Sequence, residues 1–120
     1  MWNQVTMRVL IIEDEALTAL YLASLLEEMG CRAAVAHSED EAYRVAQQLR
    51  PTLIVADVNL GRGGSGITAA RSLALDEEIP VIFVTGNREQ VEGALFDSVV
   101  ALIDKPLNPT ALRAAVAQHL

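Results

Sequence analysis

The chain has 120 residues, 52% apolar, 4% aromatic and 21% charged, a mixture that suits one compact globular domain and argues against disorder. Nine Lys and Arg against sixteen Asp and Glu give a net charge of −7, which disfavours a broad nucleic-acid or anionic-membrane surface. No apolar run nears the ~20 residues of a membrane span, Met1-Trp2-Asn3-Gln4 lacks a basic signal head, and the lone Cys31 has no partner for a disulfide or zinc cluster, so the reading is a cytoplasmic protein in a reducing compartment.

Residues 1–6, with Trp2 among them, read as a disordered leader to a single domain filling the rest of the chain. The first strand is predicted over Arg8 to Ile12. A helix follows over Ala16 to Met29, with Thr18, Leu22, Leu25, Leu26 and Met29 at helical spacing and Gly30 as its stop. Leu17, Leu20 and Tyr21 make a second apolar stripe on that helix, open to two readings: a wider buried face or an exposed docking surface. Arg32 to Ala36, rich in alanine, reads as an edge strand. Ser38 with Glu41 three residues on has the capping-box pattern for a helix to about Leu49, closed by Pro51.

Leu53 to Ala56 and Val81 to Val84 are continuous apolar runs like the first strand, as expected of strands covered on both faces. Between them Gly61 to Gly66 reads as a flexible turn, with Ser65 capping a third helix. Asn87 and Gln90 open a fourth helix, expected to be short or mobile because Gly93 interrupts it and little apolar surface is available. Val99 to Ile103 is the last strand, and Asn108-Pro109 caps a last helix carrying Leu112, Ala115, Val116 and His119.

Five strand–helix units predict a doubly wound, flavodoxin-like α/β fold: a five-stranded parallel sheet in order 2-1-3-4-5 with five helices. Ligand sites of such sheets lie at strand C-terminal ends. That rule selects Glu13, Asp14, Glu15, Asp57, Thr85 and Lys105. Carboxylates converging from adjacent strands repel one another, and a hard divalent cation held by oxygen donors relieves the repulsion; Mg²⁺ is the usual ion where phosphate completes its octahedron. A lysine offers a point charge to a phosphoryl oxygen, a threonine hydroxyl a hydrogen bond, and an aspartate nucleophile forms an acyl phosphate.

With these residues in view, the sequence resembles the receiver domains of bacterial two-component response regulators, the CheY-like superfamily. The resemblance rests on Val9-Leu10-Ile11-Ile12-Glu13-Asp14-Glu15, Leu53-Ile54-Val55-Ala56-Asp57-Val58-Asn59-Leu60, Val81-Ile82-Phe83-Val84-Thr85-Gly86 and Ile103-Asp104-Lys105-Pro106-Leu107. It implies Asp57 as phosphoacceptor, Mg²⁺ held by Asp14, Asp57, the Asn59 backbone carbonyl and, through water, Glu13, and Thr85 and Lys105 as phosphoryl ligands. It also implies a cis Lys105-Pro106 peptide. The implied activity is that of a switch that catalyses its own phosphorylation and slow dephosphorylation, and not of a metabolic enzyme. The implied partners are a histidine kinase or histidine phosphotransfer protein and an output protein, with the receiver a monomer or a phosphorylation-dependent dimer.

The chain also departs from the family pattern. Leu102 stands where members usually carry an aromatic residue, so coupling through a threonine–aromatic pair is in question and the fourth helix or its loop is the other route. Phe83-Val84-Thr85-Gly86 partly matches a subfamily stretch in which Arg88 replaces a tyrosine. Only nineteen residues separate Thr85 from Lys105, in keeping with a short fourth helix. The Gly61 to Gly66 loop, one residue longer than usual, is similar to that of alphaproteobacterial general-stress regulators.

The competing reading is a receiver-like interaction module that works without phosphorylation. An aspartyl-phosphate hydrolase is disfavoured because Asp57-Val58-Asn59 has no second carboxylate for acid–base work. His37 and His119 have no ligand-spaced companions and read as surface or packing residues.

Overall fold

In the computed structural model, residues 6–120 are described; the expected leader falls on residues 1–5, outside the described residues, apart from Thr6. Five strands, β1 (Arg8–Ile12), β2 (Arg32–Ala36), β3 (Leu53–Asp57), β4 (Val81–Thr85) and β5 (Val99–Asp104), alternate with helices α1 (Ala16–Glu28), α2 (Glu39–Leu49), α3 (Gly66–Glu77), α4 (Arg88–Glu92) and α5 (Pro109–Ala117). All four pairings are parallel and the order is β2-β1-β3-β4-β5.

Side chains alternate across each strand, so the apolar runs of β1, β3 and β4 supply two cores. Leu10, Ile12, Ile54, Ala56, Val81 and Phe83 face α2 and α3. Val9, Ile11, Leu53, Val55, Ile82 and Val84 face α1 and α5. Ala19, Leu22, Leu25 and Leu26 are the buried stripe of α1, with Ala19 taking the place expected of Thr18, whose hydroxyl turns outward to Glu15 Oε1 at 2.6 Å.

The caps follow the local sequence. Ser38 Oγ accepts from Glu41 N while Glu41 Oε1 accepts from His37 N, a reciprocal lock at the start of α2. Ser65 Oγ accepts from Thr68 N, and Asn108 Oδ1 from Thr110 N and Ala111 N above Pro109. Asn87 caps α4 through Gln90 N, and α4 ends after five residues, burying only Val91. Phe96, just beyond α4, packs against the same core and meets Phe83 edge-on with centroids 6.1 Å apart, a geometry worth about 1 kcal/mol beyond its buried area.

β5 is the second edge strand. Its register against β4 shifts between Val81 and Ile82, leaving Val100 unpaired and 47% exposed. Beyond the shift Leu102 lies opposite Phe83 and Asp104 opposite Thr85.

Candidate functional site

The C-terminal ends of four strands deliver five polar residues to one crevice. Glu13 directly follows β1 and is 1% exposed, while Asp14 beside it is exposed. β3 ends on Asp57 and β4 on Thr85, both buried. Lys105 follows β5 and a cis peptide joins it to Pro106. Its ammonium donates to Glu13 Oε1 and to Asp57 Oδ2, each at 3.1 Å. Glu13 Oε2 accepts from Glu15 N at 3.2 Å, so both oxygens of this buried carboxylate are used.

One carboxylate oxygen from each of Glu13, Asp14 and Asp57 can be chosen so that all lie within 4.8 Å of one another. Three carboxylates against one ammonium leave two negative charges unmatched. The Glu13 carboxyl is raised above its ordinary value, chiefly by burial and further by the charge of Asp57. Burial pulls Lys105 down, but hydrogen bonds and charge from Asp57 and Glu13 together carry it above its usual value. An all-oxygen donor set short of two positive charges fits a hard divalent cation such as Mg²⁺. Asn59 N donates to Asp57 Oδ1 at 3.3 Å, which places the residue whose backbone carbonyl was expected to join that set directly beside the acid.

Thr85 sits on the strand next to Asp57. Its hydroxyl accepts from Asn87 N at 3.0 Å, which leaves the O–H free to donate. Its carbonyl accepts from Lys105 N at 2.8 Å, so β4 and β5 meet at the two residues expected to face a phosphoryl group.

Several contributors were not evident in the sequence. A Cβ on Gly66 would be driven into the Asp57 carbonyl oxygen, so only glycine lets α3 start this close to the acid. Gly61, at φ 58, passes Asp14. The loop between them is not a free turn: it holds a 3-10 turn over Gly61–Gly63 and an isolated bridge from Asn59 to Ser65. Glu39 on α2 accepts from Ser65 N and from the Tyr43 hydroxyl, tying the loop down. His37 Nδ1 contacts the Glu13 carbonyl at 3.0 Å. The one available signal was Gly66 directly after a helix-capping serine, a position where glycine marks close backbone approach.

Comparison with known proteins decides the family. Residues 9–117 match the model of the response regulator receiver domain. The chain belongs to the response regulator receiver family of two-component systems. The receiver is 39% identical over 114 residues to the phyllosphere-induced regulator PhyR of Methylorubrum extorquens, covering 93% of this chain and 43% of that protein. It superposes on the receiver domain of Erythrobacter litoralis PhyR with a TM-score of 0.87 at 30% identity, over 95% of this chain and 89% of that one. The anti-anti-sigma factor PhyR from Bartonella quintana aligns with a TM-score of 0.82 at 33% identity, covering 98% of this receiver and 48% of that chain. The receiver spans about half the length of the curated relatives it matches. The likeness to alphaproteobacterial regulators expected from the glycine-rich loop fits these relatives. Among the described residues no helix is long and apolar enough to cross a membrane.

Proposed function

We propose that residues 1–120 form a single cytoplasmic receiver domain acting as a phosphorylation-dependent switch, with Asp57 as the acceptor. An Asp57 carboxylate oxygen attacks phosphorus of a phosphohistidine on a histidine kinase or phosphotransfer protein; the P–N bond breaks, the imidazole leaves and an acyl phosphate forms. Water later cleaves it, returning the carboxylate and inorganic phosphate. The observation that carries this reading is the Lys105 ammonium, 3.1 Å from the acceptor carboxylate within a three-acid cluster. Glu13, Asp14, Asp57 and the Asn59 carbonyl would hold Mg²⁺. When bound, the ion supplies the positive charge against which phosphoryl oxygens settle. Lys105 exchanges its bond to Asp57 for one to an arriving phosphoryl oxygen, and Thr85 donates its free proton to another.

The partner face lies beside this crevice. Leu17, Leu20 and Tyr21 are 77%, 64% and 44% exposed, which favours docking over burial as the reading of the second stripe on α1. Leu17 and Tyr21 line a groove of about 320 Å³ with Lys105, Pro106 and Leu107, so a phosphohistidine-bearing helix seated there has access to Asp57. The likeness to an anti-anti-sigma factor supports an output in the control of a sigma factor.

The test is intact-protein mass after incubation with acetyl phosphate and Mg²⁺. A single metal-dependent phosphoryl adduct, absent from Asp57→Asn and from a chelated control, is the expected result. Leu102, which packs against the core on the α2 and α3 side of the sheet where the family carries an aromatic ring, favours the second reading, a phosphorylation-independent interaction module. No adduct from acetyl phosphate or from a phosphohistidine donor would establish that reading instead.

A further inference from the structure

One ion pair beside the crevice has no part in the chemistry above. Arg88 Nε donates to Asp104 Oδ1 at 3.1 Å and Nη2 to Oδ2 at 2.9 Å, the two-pronged geometry of guanidinium on carboxylate. Nη2 also reaches the Leu102 carbonyl at 3.3 Å. Each partner favours the ionised form of the other: their mutual hydrogen bond raises Arg88 and lowers Asp104 from their ordinary values.

The position of the pair gives it meaning. Asp104 directly precedes Lys105, and Arg88 follows Thr85 by three residues. Asp104 is also in register with Thr85 across the β4–β5 seam. Asn87 N is bonded to the Thr85 hydroxyl and Lys105 N to the Thr85 carbonyl. The ion pair closes this circuit from outside, fastening the start of α4, three residues past Thr85, to the end of β5, one residue before Lys105.

Both side chains are largely exposed, 44% for Arg88 and 59% for Asp104. An exposed pair contributes little to global stability. Three directed hydrogen bonds from one guanidinium instead restrict local geometry, and group transfer is sensitive to displacements of ångström size.

We propose that Arg88 and Asp104 are positioning residues for phosphorylation of Asp57, holding the Thr85 hydroxyl and the Lys105 ammonium at a fixed spacing. The inference rests on the phosphoacceptor reading above. The pair occupies the stretch where Leu102 supplies no aromatic ring, and it gives the α4 loop a fixed attachment to β5 by polar contacts.

The experiment is a double-mutant cycle on the full chain with Arg88→Gln, Asp104→Asn and the double variant, phosphorylated by acetyl phosphate with Mg²⁺ across a range of donor concentrations and followed by intact mass. Each single variant is expected to lower the rate at saturating donor by about threefold to tenfold, with the half-saturating concentration little changed. The double variant is expected to be no slower than the slower single, because one interaction is removed in all three. Melting temperatures should stay within about 2 °C of the parent. Parent-like rates in the variants, effects that multiply in the double variant, or melting temperatures that fall in step with the rates each overturn the positioning role. A parent that takes up no phosphoryl group overturns the functional reading and this one with it, a result distinct from a phosphorylated parent with unaffected variants.

Discussion

Asp57 Oδ2 and Lys105 Nζ stand 3.1 Å apart, and the same ammonium serves Glu13 at the same distance. One cation therefore neutralises parts of two buried acids. Replacing it with Lys105→Met leaves both buried carboxylates without their counter-charge. The expected loss is about 2 kcal/mol in metal-free urea unfolding, below the cost of breaking a fully buried pair because Lys105 keeps some exposure. Adding Mg²⁺ should recover part of that loss; a variant as stable as the parent in chelator would refute the shared role.

Glu13 makes one contribution to the pH dependence of the metal-free protein, and substitution isolates it. Its folded value lies above the ordinary 4.5, chiefly through burial, so the folded chain binds a proton here more readily than the unfolded chain. Its charge is therefore a burden at neutral pH that is relieved as pH falls through the folded value. Glu13→Gln should be more stable than the parent at pH 7 in chelator, with the advantage shrinking toward zero below about pH 4.5. Melting curves of both proteins across that range provide the check, and an advantage that grows on acidification would contradict the sign.

Asp14 is the exposed member of the acidic cluster. Asp14→Ala should leave the unfolding midpoint in chelator near that of the parent while weakening Mg²⁺ binding at least tenfold, as expected for loss of a charged oxygen ligand. Titration followed by calorimetry measures this directly. Unchanged affinity would remove Asp14 from the ligand set.

Two glycines should respond in opposite ways. Gly66→Ala drives a methyl group into the Asp57 carbonyl oxygen and should cost about 3 kcal/mol or more, with loss of Mg²⁺ binding as β3 and α3 separate. Gly93 ends α4 at φ −80 with nothing within 4 Å of an added Cβ. Gly93→Ala should be neutral or stabilise by about 0.5 kcal/mol, by restricting the unfolded chain. Chemical denaturation of the two variants distinguishes these outcomes.

The strands and their order were readable because β1, β3 and β4 are uninterrupted apolar runs separated by cap and turn residues. Three ends fell one residue short. β3, β4 and β5 each extend to a polar residue, Asp57, Thr85 and Asp104, because ladder hydrogen bonds come from the backbone and continue where apolar side chains stop. Glu13, Asp14, Asp57 and Lys105 were readable as a group because topology alone carries strand ends to one edge. Contacts such as Glu39 with Ser65, His37 with Glu13 and Arg88 with Asp104 were not, since each joins separate elements through side chains whose rotamers carry no sequence periodicity. The exposure of Leu17, Leu20 and Tyr21 was undecidable for a related reason. Their stripe is as apolar as its neighbour, and only the packing of α1 against β1, β2 and α5 decides which side is covered.

Glu13 and Lys105 are separated by 92 residues. During synthesis the carboxylates of β1 and β3 therefore leave the ribosome long before the cation that neutralises them. β1 is flanked by β2 and β3 and can be paired early, but the pocket at its end closes only when the fifth strand docks against β4. Bringing such distant partners together carries a loop-closure cost that local contacts avoid. An intact acidic pocket is thus evidence that the chain has been made through Lys105 and folded, and a nascent chain arrested before β5 would have Glu13 and Asp57 without it.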